Sequence, residues 1–155
     1  MPAASDVTTA EELHRTFRPR AARRVSVVLG VLTAVGAALI MILVPQIPGF
    51  AFGPADEVGT GLFALGVLWL LWRQGAVRAV PDERGLTVRN FIYTRSVEWA
   101  EIVGVSFGAG SPWVQLDLSD GDTLAVMAIQ RADGARAVEE SRRLATLVAL
   151  HEPRP

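Results

Sequence analysis

The chain has 155 residues, 50% of them apolar and 20% charged, with a formal net charge of −1 and a mean hydropathy of +0.32. Without cysteine it has no disulfide framework, thiolate metal site or cysteine nucleophile. Its near-neutral balance lacks the basic excess of a nucleic-acid-binding domain. The hydropathy is high for a soluble domain, which directs the search to membrane spans first.

In chain order, Thr9-Ala-Glu-Glu12 fits a capping box and predicts a short helix through about Phe17, broken by Pro19. Arg15, Arg18, Arg20, Arg23 and Arg24 follow, making residues 1–24 a basic arm. Such a cluster sets membrane topology, and it attracts anionic headgroups by about 1 kcal/mol per arginine near the surface.

Val25–Val44 is uncharged, with only Ser26 and Thr33 polar. As a helix it spans roughly 30 Å, the thickness of a hydrocarbon core. The run is longer than a signal-peptide core, and no A-x-A site follows it. Val58–Trp72 is a second uncharged run, extended to Val77 if Arg73 snorkels. Trp69 and Trp72 sit at that end, as interfacial aromatics do; a short re-entrant helix is the alternative. The connecting loop, 45–57, holds Pro45, Pro48 and Pro54, two acids and no arginine. Arginines therefore flank the hairpin 25–77 outside its loop, and the positive-inside rule places both termini in the cytoplasm. Gly30, Ala34 and Ala38 are predicted to share a small-residue face, with Thr60 and Ala64 matching it on the second helix. This spacing suits packing within the hairpin and admits homo-oligomerisation.

Beyond Ala76 the pattern becomes short alternating runs. Strands are predicted at Val77–Val80, Leu86–Phe91, Arg95–Trp99, Ile102–Phe107, Trp113–Leu118 and Thr123–Ile129. Inward faces are expected at Leu86 and Val88, at Val97 and Trp99, at Val103, Val105 and Phe107, and at Val114, Leu116 and Leu118. Ser119-Asp-Gly-Asp122 reads as an Asp-Gly hairpin turn. Asp133 is the expected N-cap of a final amphipathic helix, with Val138, Leu144, Ala145, Leu147 and Val148 inward and Glu139, Glu140, Arg142 and Arg143 solvated. Strands followed by one helix predict a curved sheet or partial barrel covered at one open end, over about residues 78–152.

Motifs for chemistry are sparse. Gly108-Ala-Gly110-Ser111 lacks the following helix of a phosphate loop, and Pro112 marks a plain turn. Asp117 to Asp122 lacks the EF-hand ladder, since Ser119 and Gly121 stand at ligand positions. His14 and His151 lie near opposite termini, each apart from other ligand types. No nucleophile is paired with a base, so no catalytic, cofactor-binding or metal-binding residue is assigned.

Asp82-Glu-Arg-Gly-Leu-Thr-Val-Arg89, then Arg95-Ser-Val-Glu-Trp99-Ala-Glu-Ile102, then Asp120-Gly121 with its returning strand, resembles the bacterial PH-like domains. More narrowly it is similar to the actinobacterial low molecular weight protein antigen 6 family, in which two membrane helices precede one PH-like domain. The resemblance implies a seven-stranded bent barrel capped by the C-terminal helix, the seventh strand falling at Phe91–Thr94 or before Pro81. Within the motif, Asp82, Glu83 and Arg84 form a turn in which Gly85 supplies a positive φ. Trp99 and Ile102 are expected in the core, and Asp120-Gly121 at a hairpin.

Arg84, Arg89 and Arg95 are candidates to converge on an anionic headgroup, with Arg20, Arg23, Arg24, Arg73 and Arg78 at the membrane. The first loop, Pro81–Arg84, is as acidic as it is basic, which argues against phosphoinositides. The expectation is a non-catalytic module anchored in the inner membrane, with the lipid bilayer and a cytoplasmic protein as partners. An anionic-lipid sensor, or an accessory subunit of a larger membrane complex, is the alternative.

Overall fold

The charge-free runs become helices in the computed structural model, which describes residues 12–151. These fall into two units: residues 22–76 form one, and two separated stretches, 12–21 and 77–151, form the other. Helix α1 (Arg20–Leu43) runs into a 3-10 turn at Val44–Gln46, and α2 covers Pro54–Gly75. Both start before the apolar runs do. Gly53 caps α2, with its N–H donating to Asp56 Oδ2 at 2.9 Å. Asp56 and Glu57 therefore sit in the first turn of α2, where the helix dipole favours acids, rather than in the loop.

Within the hairpin, a side chain added at Gly30 would meet Leu68 Cδ2 at 3.7 Å, and one at Gly61 would meet Met41 at 3.5 Å. The expected small-residue face is only partly used, because Ala34 and Ala38 are exposed. Each step of four residues overshoots a helical turn by about 40°, so Ala38 points about 80° away from Gly30.

The other unit contains β1 (Arg78–Pro81), β2 (Gly85–Arg89), β3 (Thr94–Glu98), β4 (Ile102–Ser106), β5 (Trp113–Leu118) and β6 (Thr123–Gln130). They form two antiparallel three-stranded sheets, β1-β2-β3 and β4-β5-β6. No closed seven-stranded barrel forms among the described residues, and residues 91–93 are the β2–β3 turn rather than a strand. The first sheet is extended instead by a residue from before the hairpin. Phe17 exchanges both backbone hydrogen bonds with Ala79, at 2.8 and 3.1 Å. The predicted first helix therefore stops short of Phe17, with helical residues described only at 12–13; Thr9 lies outside the described residues.

Alternation holds in β2, β3 and β5, whose inward residues Leu86, Val88, Val97, Val114, Leu116 and Leu118 are buried. It fails in β4. Ile102 pairs with Leu118 and Gly104 with Asp117, so two steps on β4 oppose one on β5. Val103 is the extra residue of this bulge; it turns outward and is 64% exposed, while Ile102 takes the core position.

Helix α3 (Ala135–His151) packs on β4, β6 and the Trp99–Glu101 turn. Its inward stripe is Ala137, Glu140, Leu144 and Leu147, and Val138 is exposed. Asp133 does not cap α3. Its carboxylate accepts the N–H groups of Arg20 and Ala21, at 3.1 and 2.7 Å. Glu140, expected in solvent, is buried, and Arg143, also expected there, is its half-buried partner. Arg143 Nε and Nη2 donate to Glu140 Oε2 at 2.9 and 2.5 Å, and Arg136 and Arg15 reach Glu140 Oε1 at 2.9 and 3.5 Å. Burial pulls the Arg143 guanidinium below its ordinary range, opposed by its hydrogen bond to Glu140 and by that carboxylate's charge.

One buried amide joins the two sheets. Asn90 follows β2 and is 3% exposed; its Nδ2 donates to Ala125 O at 2.7 Å, and its Oδ1 accepts Met127 N–H at 3.2 Å. The side chain thus imitates a peptide group against the edge of β6. Asn90→Ala is expected to cost about 3 kcal/mol, because an N–H and a C=O lose partners in a part-buried setting. Thermal unfolding of the full chain in detergent, with amide exchange at Met127, measures it; an unchanged Met127 exchange rate would refute the role.

Candidate functional site

The candidate residues lie at both ends of the first sheet. At one end β1 begins, β2 finishes and β3 begins, so Arg78 pairs with Arg89 and Arg89 with Thr94. Ala79 and Val88, the neighbouring pair, are buried. By the pleat, Arg78 and Arg89 therefore stand side by side on the outer face. Like charges directly opposite one another destabilise a strand pair. Among the described residues no carboxylate lies within ion-pair distance of either.

The β2–β3 turn closes at this end, with Asn90 N–H donating to Tyr93 O at 2.9 Å. Its tip carries Phe91, half-buried, Ile92, 79% exposed, and Tyr93, 47% exposed. Tight turns ordinarily use Gly, Asn, Asp or Ser, so three consecutive apolar or aromatic residues here were a signal available in the sequence. The family resemblance instead offers Phe91–Thr94 as one of two places for a seventh strand, and in the structure residues 91–93 are a turn.

Arg95 faces the other way. It pairs with Val88 on the inner side and reaches across to the β5–β6 turn, with Asp120 and Asp122 each at 3.4 Å. These half-exposed pairs contribute at most about 1 kcal/mol, yet they place two carboxylates on the Arg95 charge. Gly121 between them adopts φ +87°, which the turn requires.

Arg84 lies just before the far end of β2, roughly 17 Å from Arg89 by strand rise. There Asp82 Oδ1 accepts the N–H groups of Arg84 and Gly85 at 2.8 and 2.9 Å, with Glu83 exposed between them. The carbonyl of Asp82 accepts the Trp99 indole N–H at 2.9 Å. Trp99 and Ile102 are 4% and 5% exposed. The structure therefore does not bring Arg84, Arg89 and Arg95 together: Arg84 is exposed in the turn that Asp82 holds, Arg95 joins two sheets, and Arg89 pairs with Arg78.

Gly85 does not supply a positive φ; that conformation belongs to Gly49, Gly110, Gly121 and Gly134. Its place is set by close approach to β3. Of the remaining arginines, Arg20, Arg23 and Arg24 are exposed in the first turns of α1, and Arg73 ends α2 over the Trp69 ring at 5.8 Å. The two histidines, separate in sequence, meet edge-on at 6.0 Å, with His151 stacked on Trp99 at 4.9 Å. No local sequence signal could reveal that contact.

A family model described as Bacterial PH domain matches residues 76–146. The chain is similar to uncharacterized protein Rv1417 of Mycobacterium tuberculosis, 37% identical over 105 residues covering 68% of each chain. It matches uncharacterized protein Mb1452 of Mycobacterium bovis to the same extent. It is also similar to low molecular weight protein antigen 6 of M. tuberculosis, 38% identical over 65 residues, 42% of this chain and 57% of that protein. No solved structure matches the chain.

Proposed function

The chain belongs to the bacterial PH-domain family, and on that premise we propose that it is a non-catalytic PH-like module anchored at the cytoplasmic face of the membrane by a helical hairpin inserted into its own fold. The observation that carries this is the Phe17–Ala79 pair. Those two residues flank the hairpin and are hydrogen-bonded to each other, so the chain leaves and returns on one side. An even number of crossings satisfies that condition.

Helices α1 and α2, of 24 and 22 residues, reach about 36 and 33 Å, against a hydrocarbon core of about 30 Å. Val31, Leu32, Val35, Leu39, Leu62, Phe63 and Leu65 are exposed along them, an apolar surface that lipid covers and water penalises. Arginine before α1 and after α2, against acids at the start of α2, supports the cytoplasmic side for the ends. As to role, β3 and β4 end their sheets, and such edges suit an extended peptide of a protein partner adding as a strand.

Because the chain has no cysteine, single-cysteine reporters test the topology cleanly. In sealed cells an impermeant maleimide is expected to label Ile47→Cys in the interhelical loop and to spare Val138→Cys on α3. The reverse pattern would sink the proposal. A photo-crosslinker at Ser96 on β3 is expected to capture a protein; capture of lipid alone would favour the lipid-sensing alternative, to which the Arg78–Arg89 pair points.

A further inference from the structure

We infer that the β2–β3 tip, Phe91-Ile92-Tyr93, is a membrane-insertion loop that enters the bilayer interface, with Arg78 and Arg89 beside it holding anionic headgroups. The inference rests on the anchored topology proposed above. Its first support is covalent. Helix α2 ends at Gly75 and β1 begins at Arg78, so that arginine lies within about 11 Å of the helix end, whatever path the chain takes between them. Arg78 is the cross-strand partner of Arg89, and the tip follows Arg89 directly. The end of the sheet that carries the tip is therefore the end tied to the membrane.

The second support is chemical. Isolated exposed apolar residues are ordinary, and Val103 and Val138 are of that kind. The tip differs in clustering an isoleucine at 79% exposure with a tyrosine at 47%, and tyrosine concentrates at the membrane interface. Flanking it are two outward arginines in direct opposition, an arrangement that mutual repulsion disfavours until an anion lies between them. A lipid phosphate supplies that anion where the tip supplies the apolar contact.

The third support is mechanical. Asn90, at the base of the tip, is fixed to β6 through Ala125 and Met127. The loop is thus presented from a braced position, and contact with lipid need not first order it. By contrast Arg95 already holds the two carboxylates of the β5–β6 turn, Asp120 and Asp122, and is not a third cation at the tip.

The full chain, reconstituted in phosphatidylcholine vesicles with and without phosphatidylglycerol, tests this with an environment-sensitive fluorophore on single cysteines. At Ile92→Cys the emission is expected to shift to the blue and to be quenched several-fold more by nitroxide-bearing lipid than at Val138→Cys. Leu39→Cys in α1 reports the anchor separately. Quenching at 39 without quenching at 92 overturns the insertion loop and leaves the anchor standing; no quenching at 39 removes the anchor, and the loop with it. A blue shift at 92 without lipid quenching means a protein covers the tip, and also overturns the proposal. If Ile92→Cys fails to fold, Tyr93→Cys gives the same readout. Arg78→Gln with Arg89→Gln is expected to lower quenching at 92 only where phosphatidylglycerol is present; equal quenching with and without the substitutions refutes the headgroup contact.

Discussion

Replacing Gly85 with alanine, the smallest possible side chain, is expected to cost the β unit about 3 kcal/mol or more, enough to unfold a marginal domain. A Cβ built at this position lies 2.0 Å from Val97 O and 2.9 Å from Val97 C and Glu98 Cα. All three atoms are backbone, so no rotamer change relieves the overlap. Strand β3 would have to retreat, and Gly85↔Glu98 and Leu86↔Val97 are the pairs that would part. The adjoining turn would be strained too, since Trp99 N–H donates to Arg84 O at 3.1 Å.

Gly121 gives the contrast. Its φ is +87°, and no atom lies within 4 Å of an added Cβ. Alanine there costs roughly 1–2 kcal/mol of left-handed strain, and asparagine, which tolerates that conformation, recovers part of it. At position 85 asparagine recovers nothing. Thermal unfolding of the four full-length variants in detergent separates the two causes; a Gly85→Ala protein as stable as Gly121→Asn would refute steric close approach as the reason for this glycine.

The strands were legible because a sheet with one face in a core writes its period of two directly into the sequence. Leu86, Val88 and Val97 announce their faces through their immediate neighbours. Val103 defeats the same rule because a bulge is a relation between two strands, visible only once Ile102 and Gly104 are set against Leu118 and Asp117. Asp133 fails similarly. Its position fits a local N-cap, yet it accepts the N–H of Ala21, 112 residues away.

The arginines were legible as a charge bias, which is a sum over the chain, but not as individual partners. Arg95 finds acids more than twenty residues on, while Arg89 faces another arginine. Asn90 carried no signal of its importance: a lone asparagine after a strand reads as turn chemistry, and only the neighbouring sheet makes it a brace.

The discontinuity of the β unit yields the other large effect. Phe17 is fully buried, and Arg143 lies over its ring at 3.7 Å. Arg143 Nη1 also donates to the carbonyls of Glu12, Leu13 and Arg15, at 3.2, 2.7 and 2.7 Å. The segment before the hairpin is thereby fastened to α3 by one guanidinium. Phe17→Ala is expected to cost about 3–5 kcal/mol through the cavity it leaves. Arg143→Ala is expected to cost about 3 kcal/mol, the lower end for breaking a buried pair, because Arg15 and Arg136 still face Glu140.

The two losses should not add. Without Phe17 the segment loosens and the carbonyls drift from Arg143, so the double variant is expected to fall short of the sum by about 1–2 kcal/mol. Chemical denaturation of the full chain in detergent gives all four corners of this cycle. Simple additivity would mean that Phe17 and the guanidinium act on separate parts of the fold. Coupling means that the segment before the apolar hairpin and α3 belong to one folded unit, and that residues 77–151 expressed alone would carry an open core where Phe17 belongs.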